Sequence, residues 1–386
     1  MKFSMIKRSL VFASLIGLSP VTAQAETNGR GELKWTHFGI RPLAMGNAYV
    51  AIADDFNALF YNPAGLARIT EWSGELLNPT LEVSSSTVEF ANKLTALASG
   101  LGDDTEAVLD VLEENTGKNH HVALGLTPHL IFQGFGFGLG AELPFNMTVH
   151  REVSTEIETG IKAIMPFSFA KNVFEGLDVG VTAKFVARGG INHEFSINDL
   201  NAFSSKVSTA EEEGKQKESS SSLENFVEGG YGMGVDLGML YTPVKTMSPT
   251  IGISITDFGG TPYEKADVGT EALGVPKTRL PSVNTGVSLK PYNQNNMYVT
   301  TSMDAHAINQ PVHFSKKFNL GVEWGYGSII KVQSGLHQGE YSGGFEFDVF
   351  LFSARFATYA EQLGTIAGQD DSLSDRRYAL QIKLLF

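Results

Sequence analysis

Residues 39–67 read GIRPLAMGNAYVAIADDFNALFYNPAGLA, and this mildly apolar stretch is dense in small residues. Its glycines and alanines allow close packing against surrounding walls. Residues 44–53 predict a short helix that ends at Asp54 and Asp55. Asn62-Pro63 predicts a turn, because proline fixes its own φ and disfavours helical dihedrals in the residue before it. The stretch therefore indicates a compact segment rather than a β-strand.

The start of the chain has the features of a secretory signal peptide, which we place at residues 1–25. Basic residues precede an apolar run at residues 10–18, and small residues up to Ala25 suit cleavage. The run is too short for a transmembrane helix, which needs about twenty apolar residues. The sequence therefore predicts export with cleavage near Ala25, and a membrane location would require strands.

The composition excludes several classes of function. The chain of 386 residues has no cysteine, which removes disulfides, thiolate catalysis, cysteine-ligated metals and a lipid-modified cysteine. Its formal net charge of −13 argues against a nucleic-acid partner. Glycine occurs 41 times and phenylalanine 26 times, which suits a membrane β-barrel with an apolar outside and a polar lumen.

From Gly74 onward, apolar residues alternate with small or polar ones, as the segment 231–241 illustrates. Its odd positions carry tyrosine, methionine, valine and leucine, whereas its even positions carry glycine, Asp236 and Leu240. This pattern predicts strands with one apolar and one polar face. Tyr231 and Tyr241 are about 33 Å apart along a strand, or about 25 Å in height after a tilt of about 40°, which matches a lipid-facing band. We therefore favour a membrane barrel over a soluble β-sandwich.

The pattern as a whole predicts an all-β fold, a transmembrane antiparallel β-barrel of about fourteen strands. One alternating set of connections is short and the other contains every long insertion, as an outer-membrane barrel requires. Phe350-Leu351 has no turn residues, so twelve strands is the alternative count. The predicted strands are 74–86, 120–133, 135–149, 155–170, 177–196, 229–242, 250–259, 281–290, 296–307, 315–326, 329–338, 341–349, 352–361 and 375–386.

The last predicted strand ends in Phe386. Tyr378, Leu380, Ile382 and Leu384 share its face. An alternating final strand with a terminal aromatic residue resembles the assembly signal of bacterial outer-membrane barrels. The resemblance implies recognition of the Phe386 strand by the barrel assembly machinery, and a bacterial outer membrane whose lipids surround the barrel.

The opening stretch resembles the N-terminal signature of FadL-type outer-membrane transporters and the related PorV-like barrels. In that superfamily the segment folds into the barrel lumen as a hatch. The resemblance implies a small helical hatch at residues 26–73, a barrel at residues 74–386, and gating by the matching residues. For Asn62-Pro63-Ala64 the alternative role is to anchor the hatch. The matching residues are Arg41, Ala44, Met45, Gly46, Asp54, Asp55, Asn62, Pro63, Ala64 and Gly65.

The first outer loop, residues 87–119, is predicted to be helical. Phe90, Leu94, Leu97 and Leu101 share one face of a helix over residues 88–101. Two roles are open for this loop: a helical hairpin that closes the barrel mouth, or a groove in which these four residues capture an apolar ligand. A later outer loop, residues 197–228, is of low complexity and is predicted to be solvated.

No pattern predicts catalysis, a metal site or a cofactor. His120 and His121 are adjacent, so they face opposite ways on a strand, and His129 and His337 are predicted to face the lumen. The GxSxG motif is absent. The run FGFGLG at residues 135–140 lies on a predicted strand and lacks the helix start that phosphate binding needs. We therefore predict a protein that is not an enzyme.

The resemblance implies an uptake channel for long-chain fatty acids or other hydrophobic compounds, with a hydrophobic small molecule as ligand. The alternatives within the same superfamily bind proteins: a PorV-like secretion accessory, or a barrel of an envelope or conjugation assembly. A protein-binding barrel should have an open mouth and a large exposed patch on its outer loops. A transporter should instead have a continuous apolar path from the first-loop helices to the hatch.

Overall fold

The computed structural model describes residues 39–100, 110, 113–149, 155–195, 226–266, 274–349, 352–363 and 374–384, and of residues 94–100 and 384 only the backbone. The predicted signal peptide, the start of the hatch, most of the low-complexity loop, Leu101 and Phe386 lie outside these residues. Within the described ranges, no helix combines the length and the apolar character needed to cross a membrane.

Fourteen antiparallel strands form a closed barrel, as predicted. Each strand pairs with its neighbours in the chain, and the last strand closes the ring on the first, with Leu380 opposite Leu81. Val349 pairs with Phe352, so the chain reverses direction between these two residues. This reversal excludes the alternative count of twelve strands. In chain order the strands are β1 (Ser73–Glu75 and Thr80–Ser84), β2 (Asn119–Leu126 and His129–Phe132), β3 (Phe135–Gly138 and Gly140–Val149), β4 (Thr155–Phe174), β5 (Leu177–Phe195), β6 (Val227–Tyr241), β7 (Thr250–Thr256 and Glu264–Lys265), β8 (Ser282–Gln294), β9 (Met297–Ala305), β10 (Phe318–Tyr326), β11 (Ile330–His337), β12 (Glu340–Val349), β13 (Phe352–Gln362) and β14 (Ser374–Leu384).

The two faces of the wall follow the predicted alternation. On β6, Tyr231 and Val235 are exposed on the outside, whereas Asp236 is buried on the inside. On β10, Trp324 is exposed and Glu323 is completely buried. Successive side chains of a strand point to opposite faces, so one apolar face meets lipid and the other lines the lumen.

The described part of the predicted hatch, residues 39–72, occupies the lumen. It consists of the helix α1 (Ile40–Ala44) and two 3-10 helices (Phe56–Leu59 and Pro63–Arg68), joined by turns. Tyr49 and Leu66 are almost fully buried in its apolar core. A second helix, α2 (Ser85–Gly100), follows β1 in the first outer loop, where a helix was predicted.

The helix predicted over residues 44–53 is wrong, because α1 already ends at Ala44. Gly46 and Asn47 both adopt a φ of 63°, and left-handed residues terminate a right-handed helix. Asn62-Pro63 does more than form a turn, since it begins the second 3-10 helix. The Asn62 side chain accepts a hydrogen bond from the backbone of Ala64, and proline suits the first helical position.

Candidate functional site

The hatch rests on glycines of the inner wall of β5 and β6. A Cβ atom on Gly238 would lie 2.8 Å from Cδ of Pro63, and a Cβ atom on Gly180 would lie 2.5 Å from the backbone nitrogen of Ala64. Such distances are well inside van der Waals contact. Only glycine therefore allows the hatch backbone to approach the wall this closely.

A second set of wall glycines holds the other end of the hatch. A Cβ atom on Gly321 of β10 would lie 2.5 Å from the carbonyl oxygen of Met45, and one on Gly335 of β11 would lie 2.6 Å from the nitrogen of Gly46. Contacts of the same kind occur on β7 and β12. We call the whole set the glycine seats: Gly180, Gly238, Gly252, Gly321, Gly335 and Gly344.

Arg41 ties the hatch to the wall at β10. Its Nε and Nη2 donate to the two carboxylate oxygens of Glu323, each at 2.7 Å. Its Nη1 donates to Asp54 at 2.7 Å, to Asp55 at 3.0 Å and to the hydroxyl of Tyr49. Bidentate arginine–carboxylate pairs are both strong and directional. We call these five residues the Arg41 clasp.

Further wall residues complete the Arg41 clasp. The hydroxyl of Tyr298 and the amide of Gln333 each donate to Glu323 at 3.0 Å. Lys290 of β8 lies 3.4 Å from Asp54. Because Glu323 is completely buried, these donors and Arg41 together replace the water that its charge would otherwise need.

The electrostatics of the hatch favour the charged forms of its ion pairs. Burial alone would raise the pKa of Asp54, but the charges of Arg41 and Lys290 outweigh it and hold that pKa well below its ordinary value. Burial opposes the charge of Arg41, and Asp54 and Glu323 nevertheless raise the pKa of its guanidinium. Arg41 and Asp54 are therefore both charged near neutral pH.

Arg68 binds the hatch to the wall at β5 and at the end of β6. It ends the second 3-10 helix, and its Nε donates to Asp178 of β5 at 2.7 Å. Its Nη2 donates to the hydroxyl of Thr242, after β6, at 2.9 Å. One arginine thus fastens the hatch to β10 and the other fastens it to β5.

Asn62 makes hydrogen bonds both within the hatch and to the wall. Its amide nitrogen donates to the carbonyl of Val50 at 2.9 Å and to that of Met239 on β6 at 3.2 Å. The side chain is completely buried. Gly65, three residues later, passes so close to the carbonyl of Ala53 that a Cβ atom there would overlap it. These residues fix the fold of the hatch as well as its place.

The ten predicted hatch residues therefore divide into two groups. Arg41, Asp54 and Asp55 meet in the Arg41 clasp. The remaining seven sit against the wall or within the hatch core, where Ala44 contacts Gly344 and its carbonyl accepts a hydrogen bond from Ser342. The seven are Ala44, Met45, Gly46, Asn62, Pro63, Ala64 and Gly65.

Two polar cavities flank the hatch on the side of the short turns. One, of about 340 Å³, lies between the hatch and strands β11–β14, where Arg355 pairs with Glu75 at 2.8 Å. The other, of about 820 Å³, lies beside Arg68 and Lys290 near the turn between β4 and β5. Both linings include several charged side chains, which favour water over an apolar ligand.

An apolar cluster lies elsewhere on the hatch. Phe60 of the hatch packs against the cluster formed by Ile164 of β4 and Val186 of β5. Tyr263, which follows the first part of β7, packs against the same cluster. Ile164 and Val186 point into the lumen and are almost fully buried. This cluster is an apolar lumen surface in direct contact with the hatch.

Near the outer rim the inner wall is polar instead. His121 lies 2.8 Å from Glu82, and Arg377 approaches the same carboxylate at 3.4 Å. Tyr359 also donates to Glu82. In the described inner wall, these polar groups lie beside apolar contacts that Ile40 and Leu43 of the hatch make with Tyr359 and its neighbours.

Phe90, the first predicted capture residue, lies outside the lumen. It is buried against the outward face of the wall, where its ring stacks on His120 at 4.2 Å and packs with Met147 and Val149. Leu94 and Leu97 lie on α2, but their side chains and Leu101 fall outside the described residues. The described part of α2 is thus seated on the outer face of β2 and β3.

The lumen histidines serve packing and hydrogen bonding. The ring of His129 stacks on Phe56 of the hatch at 4.1 Å, and Nδ1 of His337 lies 2.9 Å from Asn319. In the described part of the chain, no three histidine or acidic side chains are grouped in a way that could hold a metal ion.

Sequence reasoning missed Arg68, the wall carboxylates that meet the arginines, and the glycine seats. The alternation already placed Asp178 and Glu323 on the inner face. It carried no information on which hatch residue each would meet. The glycines at every second position of the inner face were the available signal, because a wall that receives another backbone needs them.

Comparison with known proteins identifies the family. A family model described as "Family of unknown function (DUF5723)" matches residues 107–310, which is more than half of the chain. The fold is that of the FadL-type outer-membrane barrels. The chain belongs to the DUF5723 family. No curated protein matches its sequence.

One solved structure resembles this chain in fold, and two further solved structures are less similar to it. The monoaromatic hydrocarbon channel CymD is 14% identical, with a TM-score of 0.52 over 90% of this chain and 97% of that chain. The Pseudomonas putida toluene transporter TodX is 10% identical, with a TM-score of 0.48 over 90% and 98%. A Pseudomonas aeruginosa FadL homologue is 11% identical, with a TM-score of 0.42 over 91% and 98%. At such identities the likeness concerns the fold alone.

Proposed function

We propose that the protein is an outer-membrane channel for hydrophobic small molecules and that the hatch is its gate. One observation carries the proposal: the lumen is closed by a segment that is fastened through the Arg41 clasp, Arg68 and the glycine seats. None of these contacts belongs to the hydrogen-bonded ring of strands. The hatch can therefore move without opening the wall, whose backbone groups must stay paired in lipid.

The proposed ligand is a long-chain fatty acid or another hydrophobic compound. The resemblance of residues 39–67 to the FadL-type signature supports this class, and so does the fold shared with CymD, which is described as a monoaromatic hydrocarbon channel. The apolar cluster around Phe60 gives such a molecule a surface next to the hatch.

In the proposed gating step, the Arg41 clasp releases while Arg68 holds. The hatch is joined to β1 at its C-terminal end, close to Arg68, so this end has little freedom. In the described part of the hatch, the segment that carries Arg41 and Met45 contacts the wall through side-chain hydrogen bonds and packing. Release of Arg41 from Glu323 would let residues 39–55 leave β10 and β11.

A disulfide lock tests the gate directly, because the chain has no cysteine of its own. The hydroxyl of Ser288 on β8 donates to the carbonyl oxygen of Ala51 at 3.1 Å, so these two positions are in contact and both already carry a side chain. We expect Ala51→Cys combined with Ser288→Cys to abolish uptake of a fluorescent long-chain fatty acid and of radiolabelled naphthalene when oxidised. A reductant should restore uptake.

The two single-cysteine variants are the matched controls, since they carry the same substitutions without the link. If the oxidised double variant takes up these compounds at the wild-type rate, transport does not require movement of the hatch and the gating proposal is wrong. Equal uptake by wild-type and deletion cells would exclude transport of these compounds. The protein-binding alternative would then be tested by crosslinking from the outer loops.

A further inference from the structure

The lipid-facing side of β8–β12 carries a groove of about 500 Å³, which we call the outer groove. The residues that line it all belong to the described part of the wall, and none of them is charged. Two rows of outward side chains border it, each crossing neighbouring strands in register. The row towards the outer end consists of Val287, Met303, Leu320, Leu336 and Tyr341. The row towards the short turns consists of Leu289, Thr301, Val322 and Ser334.

The floor of the outer groove is the backbone of a row of small residues. Between the two outward rows the side chains point into the lumen, because successive side chains of a strand face opposite ways. Ser302 pairs with Gly321, and Gly321 pairs with Gly335. We call the whole row the seat row: Ser288, Ser302, Gly321, Gly335 and Ser342.

The hatch rests on the lumen side of this same seat row. The hydroxyl of Ser288 donates to the carbonyl oxygen of Ala51 at 3.1 Å, and that of Ser342 donates to the carbonyl oxygen of Ala44 at 3.3 Å. The glycine seats of β10 and β11 lie between these two serines and meet the hatch backbone directly. A single layer of wall backbone therefore separates the hatch from the outer groove.

The outer groove lies within the lipid-facing band, where the wall is low. Val322 is four residues from Tyr326, which is exposed at the end of β10 on the side of the short turns. The exposed apolar side chains of β11 extend from Ile330 to Leu336, about 20 Å along the strand or about 15 Å in height after a tilt of about 40°. The usual band is about 25 Å high. A bilayer thins beside so short an apolar wall, so its acyl chains tilt or bend there.

We propose that the outer groove binds an acyl chain of a membrane lipid and that the bound chain supports the seat row against the hatch. An uncharged lining at membrane depth suits an acyl chain and disfavours a charged or hydrated ligand. The bound chain would supply the packing that the seat row lacks on its lipid side. The lipid is thus an effector of the gate that binds outside the lumen. Binding stands on the geometry of the wall, whereas its effect on gating rests on the proposed function.

Photolabelling tests the binding. The protein is reconstituted in phosphatidylethanolamine–phosphatidylglycerol vesicles that contain a small fraction of phosphatidylethanolamine with a diazirine in the middle of one acyl chain. We expect labelling at Thr301 and Ser334 to exceed that at Ala183, which is exposed on the outer face of β5. Ser334→Leu should lower the labelling because it fills the groove. The matched control, Ala183→Leu, should leave it unchanged. Equal labelling of all three positions would overturn the site.

A further variant tests the effect on the hatch. Leu320→Ala combined with Leu336→Ala lowers the row of larger residues, so the acyl chain should be held less firmly. We expect labelling at Ser334 to fall and protease cleavage of the hatch to rise severalfold. Ser334→Leu should also lose labelling but keep the hatch protected, because the leucine side chain occupies the place of the acyl chain. Unchanged protection in the double variant would overturn the effect on the gate.

Two controls complete the experiment. Heat-modifiable gel mobility shows whether each variant forms a folded barrel, and Met303→Ala lowers the same row more mildly if the double variant does not fold. Quantitative interchain disulfide formation by Ser334→Cys in the same vesicles would show that a second copy of the chain covers the groove, and the lipid proposal would then be wrong.

The outcomes separate this inference from the proposed function. Labelling and protease cleavage are measured without a transported compound. Equal uptake by wild-type and deletion cells would therefore overturn the channel and leave the lipid site standing. Labelling spread evenly over the wall, together with normal uptake, would overturn the lipid site and leave the channel standing.

Discussion

At the scale of single residues, Arg41 is the contact whose loss should matter most. It is 7% exposed and it neutralises Glu323, which is completely buried. Removing one partner of a buried ion pair costs about 3–5 kcal/mol, because the other charge remains without compensation. We expect Arg41→Gln to unseat the hatch and to raise the ionic conductance of the protein in planar bilayers.

A double-mutant cycle checks that the effect comes from this pair. Arg41→Gln combined with Glu323→Gln removes the buried charge on both sides of this pair, so it should conduct less than Arg41→Gln alone. Glu158→Gln, at an inner-wall carboxylate paired with Lys162 and Arg188, is the matched control. If the two effects simply add, the pair does not fasten the hatch.

The pH dependence of the hatch follows from Asp54. Its pKa in the folded protein lies below the ordinary value of about 4. The stabilisation it gives is therefore fully present above about pH 4 and is lost only as the pH falls through the lowered pKa. We expect wild-type conductance to stay low and constant between pH 7 and about pH 5. Opening of the wild-type channel within this window would contradict the assignment.

At the scale of elements, a wall strand is predicted to decide whether the hatch can seat. Gly238→Ala places a methyl group against Asn62 and 2.8 Å from Cδ of Pro63, in a region without room for it. We expect the barrel to fold, as judged by heat-modifiable mobility, while the hatch becomes accessible to protease. Gly125→Ala is the control, since its Cβ atom would meet Thr80 at 3.4 Å, an ordinary contact. Equal protection of both variants would show that the glycine seats are not required.

A comparison of the elements shows which of them the local sequence alone could predict. The period of two placed the strands, because each β-strand has one face in lipid and one in the lumen whatever its neighbours are. The α1 helix was misplaced because Gly46 is held in a left-handed conformation against the backbone of Leu320 and Leu336, which are far away in the chain. The irregular segment at residues 257–263 was not predicted for a related reason, because Asp257 pairs with Lys184 of β5 and with Arg279.

At the scale of the whole molecule, the barrel is predicted to stand without its hatch. The ring of strands closes through its own backbone hydrogen bonds, and the inner carboxylates would meet water once the lumen is empty. We expect deletion of residues 39–72 to give a folded barrel with a large and steady conductance. A variant that fails to assemble would show instead that the hatch is part of the folding unit.

The fold could be predicted over most of the chain. For the candidate site, the sequence predicted the segment that forms it but not the wall residues that the segment contacts. Residues 39–67 were recognisable because their small residues and prolines are contiguous. The partners of that stretch are not contiguous: Arg41 and Glu323 are 282 residues apart. Pairing across such a distance depends on how the barrel closes, which no local pattern contains.

The glycine seats have a consequence for biogenesis. They lie on β5–β7 and on β10–β12, so strands on both sides of the ring contact the seated hatch. The hatch precedes every strand in the chain, whereas β10–β12 are synthesised late. We therefore expect the hatch to be enclosed while the barrel forms, with the late strands closing beside a segment that is already present.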